Sequence, residues 1–262
     1  MGLRGIDELI FPAVVAHRGA SIDHSENTLP AFEAAVAAGA DAVEFDVRVT
    51  VDGRAVVMHD ADVSHTTDGT GLVHELTFAQ VRGLTATRGA DAGARVPSLE
   101  ETLATLSGRA GVDVEIKPHA SGDAEGVRRC VDEVVRLLDE LPFDGPVLIT
   151  SFSDDALTCV RNLRSDLATG LLVAGPVDTD VMRIARHAGH RAVLPHVVAL
   201  ESAGERFVRR AHDMGLLVAT WTVDDPQRIE RLFRWGVDAV VTNDPATVVP
   251  IRDAAGPAGR AP

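Results

Sequence analysis

The sequence predicts an α/β protein, a (β/α)8 TIM barrel built as a single domain over residues 1–262, with a small insertion after its first hairpin. Three observations carry that prediction. Eight short apolar runs, rich in Val, Ile, Leu and Ala, alternate with helical runs over nearly the whole chain. One of these runs is doubled by a hairpin around Asp52-Gly53. Chemically active side chains close or follow nearly every run at its C-terminal end, as in barrel enzymes, and the N-terminal ends carry no matching set.

Taken in order, residues 14–16 are a short buried strand that leads into His17-Arg18-Gly19. Glu26-Asn27-Thr28 precedes a helix over 29–38 that Gly39 ends. Residues 43–50 alternate apolar and polar with period two, Asp52-Gly53 is a preferred two-residue turn, and 55–59 form the return strand. With that loop Val51 faces Arg54, and counting back sets Asp46 opposite His59, with Glu44 one pleat further along. Glu44, Asp46 and His59 then share one face, opposed residues lying about 4.5–5.5 Å apart at Cβ. Phe45, Val47, Val49, Val56 and Met58 fill the other face. The insertion, residues 60–96, lacks sustained periodicity and is rich in Thr, Asp and Gly. It reads as a mobile lid with one short helix, opened by a capping box from Thr77 to Gln80.

From there the alternation is regular. A second capping box, Ser98 to Glu101, opens a helix through Leu106. Strands are expected over 112–117, 147–151, 170–173, 192–194, 217–222 and 239–242. Helices are expected between them over 125–140, 154–163, 178–187, 201–214 and 226–235, and only weakly after the last strand. The tail over 254–262 is Ala, Gly and Pro and is expected to fray.

Composition narrows the function. A formal net charge of −14 argues against a nucleic-acid partner and against stable association with an anionic membrane surface, so an anionic substrate would need a local cation. Cys130 and Cys159 form no CxxC, and neither a disulfide framework nor a thiolate-held metal is indicated. The first residues carry acids and a Pro where an export signal needs an unbroken apolar stretch, and no run reaches membrane-spanning length. A cytoplasmic protein is expected.

Glu115 and Lys117 stand two apart on a strand, so both can point into the barrel while Val114 and Ile116 point away. Glu44, Asp46 and Glu115 then converge. Oxygen-only ligands without cysteine favour a hard cation, Mg2+ or Ca2+, over zinc. His17 and His59 supply two imidazoles, one able to take a proton and the other to give one near neutral pH. Arg18 and Lys117 are positive charges suited to phosphate oxygens. Such a set describes in-line displacement at phosphorus. Glu26 and Asn27 read either as a helix cap or as supports of the site, and Trp221 either as core or as an apolar wall against an alcohol. His196, Ser151 and Asn243 read as structural; His24, His65, His74, His119, His187, His190 and His212 read as surface or local contacts.

The chain resembles the glycerophosphodiester phosphodiesterases. The matching residues are His17-Arg18-Gly19, Glu26-Asn27-Thr28, Glu44 with Asp46-Val47, Thr50 with Asp52-Gly53, His59-Asp60, Pro97-Ser98-Leu99-Glu100-Glu101, Glu115-Ile116-Lys117 and Trp221-Thr222-Val223, in the family's order. The resemblance implies a barrel related to phosphoinositide-specific phospholipase C and a divalent cation held by Glu44, Asp46 and Glu115. It also implies His17 and His59 as the acid/base pair, phosphate contacts by Arg18 and Lys117, and the small insertion. Two departures stand out: Ser64-His65 where the family commonly has an Arg, and Asp224 where Trp-Thr-Val is most often followed by Asn. Both lie outside the implied metal and acid/base set and are expected to bear on the leaving alcohol. The expected activity is hydrolysis of deacylated phospholipids to glycerol 3-phosphate and an alcohol. A lysophospholipase D would use the same residues with an apolar groove. A non-catalytic phosphodiester-binding barrel would have no use for a paired acid and base.

Overall fold

Nine strands form one sheet in the computed structural model, which describes residues 5–9, 11–118 and 124–256. They are β1 (Ala13–His17), β2 (Ala42–Val49), β3 (Ala55–Val57), β4 (Gly111–Ile116), β5 (Val147–Ser151), β6 (Ala168–Val173), β7 (Ala192–Pro195), β8 (Leu217–Thr220) and β9 (Ala239–Thr242). The order is β1-β9-β8-β7-β6-β5-β4-β2-β3, and an added β1–β2 pairing closes eight parallel strands into a barrel with β3 outside it, antiparallel to β2. The helices are α1 (Leu29–Ala37), α2 (Phe78–Arg82), α3 (Leu99–Leu106), α4 (Ala124–Glu140), α5 (Asp154–Leu163), α6 (Thr179–His187), α7 (Val197–Ala203), α8 (Glu205–Asp213), α9 (Pro226–Arg234) and α10 (Pro245–Ala255). The predicted barrel is the observed one. None of the described helices is long and apolar enough to cross a membrane.

Strand alternation builds two cores. Outward residues such as Val14, Ala16, Val43, Phe45, Val114 and Ile116 pack under the helices, while Ala13, Val15, Ala42, Leu172, Leu194 and Val241 fill the barrel interior. Helix starts follow capping chemistry, with Thr28, Ser98, Ser153, Asp178, Asp225 and Asp244 each accepting a backbone N–H of the first turn.

Four expectations are corrected. The hairpin loop has three residues, because Val49 pairs with Ala55 and Thr50 N–H donates to Arg54 O at 3.0 Å. Thr50 Oγ1 donates to Asp52 Oδ1 at 2.6 Å and accepts from Arg54 N at 3.2 Å, and Gly53 takes the left-handed position at φ 79°. The register therefore slips by one: Asp46 lies opposite Met58, whose N–H donates to Asp46 O at 2.9 Å. Val56 and Met58 consequently face the insertion rather than joining Phe45, Val47 and Val49.

The insertion itself is not an unanchored lid. Val63, Val73, Val81 and Val96 make a small core with Val56 and Met58, and the Thr77–Gln80 capping box is present. The insertion is also tied to the loop after β1, with His24 Nδ1 at 2.5 Å from Asp91 and Ala90 N–H donating to Asp23 O at 2.9 Å. The helix expected over 201–214 is two helices, broken at Gly204 with φ 75°. Finally, a full helix, α10, follows the last strand, and it includes Ala254 and Ala255 of the expected tail; residues 257–262 lie outside the described residues.

Candidate active site

The site begins where β1 ends. Arg18 has φ 56°, an uncommon left-handed backbone for a residue with a side chain, and it persists because its surroundings hold it. Its N–H donates to Glu44 O at 2.9 Å, and Asn27 N–H donates to its carbonyl at 3.0 Å. Gly19 follows because a Cβ there would lie 2.7 Å from Ala31 at the head of α1. This tight turn aims His17 and Arg18 across the barrel mouth.

Two adjacent strands supply the carboxylates. Asp46 on β2 is level with Glu115 on β4, and Glu44 on β2 is level with His17 on β1. Glu44, Asp46 and Glu115 are all buried, and one oxygen from each lies within 4.8 Å of the others. Among the described residues, Glu44 Oε1 has no hydrogen-bond partner. Asp46 Oδ1 and Glu115 Oε1 are met only by the Lys117 ammonium, at 3.0 and 2.5 Å. One buried oxygen without a partner and two that share a single ammonium converge on one point, an arrangement that a hard cation would satisfy, so this donor set fits Mg2+ or Ca2+.

Charge balance explains the rest of the electrostatics. Arg18 Nε lies 3.2 Å from Asp46, and its Nη1 donates to Glu26 at 2.9 Å. Two cations thus face three clustered carboxylates, and two unit charges 3 Å apart still interact by roughly 5 kcal/mol at an effective dielectric of 20. Asp46 takes most of the compensation. Burial opposes its ionisation, but Lys117 and Arg18, with His59 and Asn27, hold it well below the usual carboxylate range. Glu115 is pushed up to about 7 by burial and by Asp46. Burial, with Asp46, Glu115 and Asp113, pushes Glu44 well upward too. Asn27 clamps Asp46 from both sides, donating Nδ2 to Oδ2 at 2.8 Å and accepting Asp46 N–H at 3.3 Å. Glu26 and Asn27 therefore face the site, and the helix cap is Thr28.

The two histidines have different neighbours. His17 Nδ1 lies 2.7 Å from Asn243 Oδ1, and His59 Nδ1 lies 2.9 Å from Asp60 Oδ1. Burial lowers the pKa of both, Arg18 adds to this at each and Asp46 opposes it at each; Asn243 also opposes it at His17 and Asp60 at His59. The two departures from the family pattern sit behind these partners. His65 Nδ1 lies 3.1 Å from Asp60 Oδ2, and Asp224 accepts from Asn243 Nδ2 at 2.7 Å. Each thus reaches a histidine through one residue.

His17, Arg18, Glu44, His59, Glu115, Lys117 and Trp221 line one cavity of about 170 Å³, and Asp46 lies beneath it. Trp221 is both wall and structure. Its Nε1 donates to Leu194 O at 2.8 Å, and its ring meets Phe152 and His196 edge-on at 5.4 and 4.9 Å. Ser151 is structural, donating to Ile116 O at 2.8 Å, and His196 caps α7. His190 is buried between Thr169 and Asp154 rather than at the surface.

Sequence reading missed four residues. Asn243 was placed with the structural residues yet touches His17. Asp113 shares the inward face with Glu115, a period-two signal, and burial pushes it up to about 7 while Thr150 donates to it at 2.7 Å. Arg48, a charge in the middle of an apolar strand, donates to His59 O at 2.8 Å and to Pro118 O at 3.1 Å, tying together the two segments that carry His59 and Lys117. Phe152 stands 45% exposed beside Trp221, a position for which the sequence has no signal.

The chain matches the glycerophosphoryl diester phosphodiesterase family over residues 17–247. It is 32% identical over 248 residues to a glycerophosphodiester phosphodiesterase of Caldanaerobacter subterraneus subsp. tengcongensis, covering 90% of this chain and 96% of that one. Among solved structures it is similar to an Oleispira antarctica phosphodiesterase in complex with the product sn-glycerol-3-phosphate (TM-score 0.84, 28% identity, 93% and 97% of the two chains). It is also similar to a putative glycerophosphoryl diester phosphodiesterase from Silicibacter pomeroyi (TM-score 0.81, 30% identity, 97% and 96%).

Proposed function

This chain belongs to the glycerophosphoryl diester phosphodiesterase family, whose enzymes hydrolyse glycerophosphodiesters, and from that premise we propose a metal-dependent reaction with two-histidine acid/base catalysis that releases glycerol 3-phosphate and an alcohol. The observation that carries the proposal is the convergence of the buried Glu44, Asp46 and Glu115, with one oxygen of Glu44 left without a partner, beside Arg18, Lys117 and two histidines. Glu44, Asp46 and Glu115 would hold Mg2+ or Ca2+. When bound, the cation supplies positive charge against the phosphodiester's oxygens as charge grows on them.

This chain's own residues do the rest. Arg18 and Lys117 bind the non-bridging phosphate oxygens, and such fixed charges are worth most where charge develops. One histidine takes a proton from the attacking hydroxyl, that of water or of the substrate's glycerol 2-position. The other returns a proton to the departing alcohol oxygen. Trp221, with Phe152 beside it, walls the organic part of the substrate. The substrate is a small molecule; the acidic chain has no use for nucleic acid, and we read the protein as a cytoplasmic single domain.

Incubation with glycerophosphocholine tests the reading directly. Glycerol 3-phosphate and choline should appear in equal amounts, and work in 18O-labelled water with a search for the cyclic ester separates the two nucleophiles. Binding without release would favour the non-catalytic barrel. Lysophosphatidylcholine cleaved faster than glycerophosphocholine would favour the lysophospholipase D, although the insertion turns large apolar residues into its own core.

A further inference from the structure

His17 has one nitrogen committed to Asn243, and the residue behind Asn243 decides what that commitment means. Asp224 Oδ1 accepts from Thr242 Oγ1 at 2.9 Å and from Asn243 N–H at 2.8 Å, and its Oδ2 accepts from Asn243 Nδ2 at 2.7 Å. A carboxylate can only accept. The amide of Asn243 must therefore present its NH2 to Asp224 and its carbonyl oxygen to His17 Nδ1, 2.7 Å away. That oxygen also only accepts, so Nδ1 carries the proton and the neutral ring keeps its lone pair on Nε2. Ser21 Oγ lies 2.9 Å from Asn243 Oδ1 and 2.8 Å from His17 O, and a hydroxyl can serve either end of an amide. Ser21 does not choose the orientation; Asp224 does.

We propose that Asp224, acting through Asn243, is a positioning residue that holds His17 as its Nδ1–H tautomer and so leaves Nε2 free to accept the proton of the reaction; His59, whose Nδ1 meets the Asp60 carboxylate rather than a neutral amide, is the better placed to carry a second proton and is the donor. This rests on the proposed roles of the two histidines. In the step itself, Nε2 of His17 takes the proton of the attacking hydroxyl as its oxygen bonds to phosphorus. The bond from phosphorus to the alcohol oxygen breaks, and that oxygen takes a proton from His59. The sum is the addition of one water across the diester, directly or by opening of a cyclic ester.

The test uses the full chain with 15N-labelled histidine, in which long-range 1H–15N spectra report which ring nitrogen is protonated. Wild type should show His17 protonated at Nδ1, a measurement that needs no variant. In Asp224→Asn the acceptor for Asn243 N–H can be kept only by turning the new NH2 toward Asn243, which forces that amide to flip. His17 should then move to the Nε2–H form, with kcat lowered by about 10²–10⁴ and KM little changed. The exchange variant Asp224→Asn/Asn243→Asp restores an acceptor at His17 and a donor at 224, so it should recover the Nδ1–H form and most of kcat. A wild-type Nε2–H tautomer, an Asp224→Asn variant that keeps tautomer and turnover, or an exchange variant that recovers neither overturns the proposal. A changed tautomer with unchanged turnover also overturns it, and His17→Ala then separates the two readings: an inactive variant keeps the proposed histidine catalysis, an active one removes it.

Discussion

The Lys117 ammonium lies 3.0 Å from Asp46, a carboxylate with no exposed surface, and so with Arg18 it compensates the charge that burial would otherwise forbid. Burial opposes the charge on Lys117 too, but Asp46 and Glu115 more than offset it and raise its pKa. The same ammonium is placed to receive a phosphate and competes with a metal for the same carboxylates. Lys117→Met should therefore bind Mg2+ or Ca2+ more tightly than wild type while kcat falls by about 10²–10³, the usual loss for one group aimed at developing charge. Calorimetric titration beside steady-state kinetics checks both directions; weaker metal binding in the variant would count against the shared site.

Glu115→Gln should act oppositely on the metal. It removes one of three converging charges, so divalent-cation affinity and turnover should both collapse while the barrel stays folded. A titration that matched wild type would sink the ligand assignment.

His17→Ala and His59→Ala should each lower kcat by about 10²–10⁴. A p-nitrophenyl ester, whose leaving group needs no proton, should restore much of the activity of His59→Ala and little of His17→Ala. Rescue of both, or of His17→Ala alone, contradicts the division of labour.

Stability of the metal-free protein should depend on pH in a stated direction. Glu115 and Asp113 titrate near 7 when folded, against about 4 in an unfolded chain. Between those values these two groups hold protons in the folded protein that the unfolded chain has lost, so their contribution to stability is full below about pH 4 and is lost as pH rises to 7. The expected observation is a Tm, measured by scanning calorimetry, that declines across this window without metal and recovers most above pH 7 on adding Mg2+ or Ca2+. His17 and His59, whose pKa burial lowers, act in the opposite direction, so the assignment is isolated by Asp113→Asn: a variant whose Tm fell with pH as steeply as the wild type's would contradict it.

Replacing residues 61–95 with a short Gly-Ser link exposes Val56 and Met58, so the variant needs polar residues there to stay soluble. With that change, hydrolysis of a small activated diester should persist, while the ranking among glycerophosphocholine, glycerophosphoethanolamine and glycerophosphoglycerol should change. An unchanged ranking would move headgroup selection to the barrel mouth around Trp221.

The barrel is legible because its signal is repeated: each strand is a short apolar run, most helices open on a capping residue, and errors at single boundaries do not alter the count. The carboxylate cluster is legible for a related reason, since Glu44, Asp46 and Glu115 obey a period of two that survives local change. The hairpin register is not, because Asp52-Gly53 suits a two-residue turn and a three-residue turn equally, and the hydroxyl of Thr50 decides between them. The link from Asp224 through Asn243 to His17 escapes the sequence. Asn243 is 226 residues from His17, and only closure of β9 against β1 brings them together.

The most direct measurement is the release of glycerol 3-phosphate from glycerophosphocholine by protein stripped of divalent cations and then titrated with Mg2+ or Ca2+, run on wild type and Glu115→Gln together. The account predicts no release by the stripped wild type, saturable recovery as the cation is added, and no recovery in the variant at the same concentrations. Full turnover by the stripped wild type, or equal recovery by the variant, would contradict it.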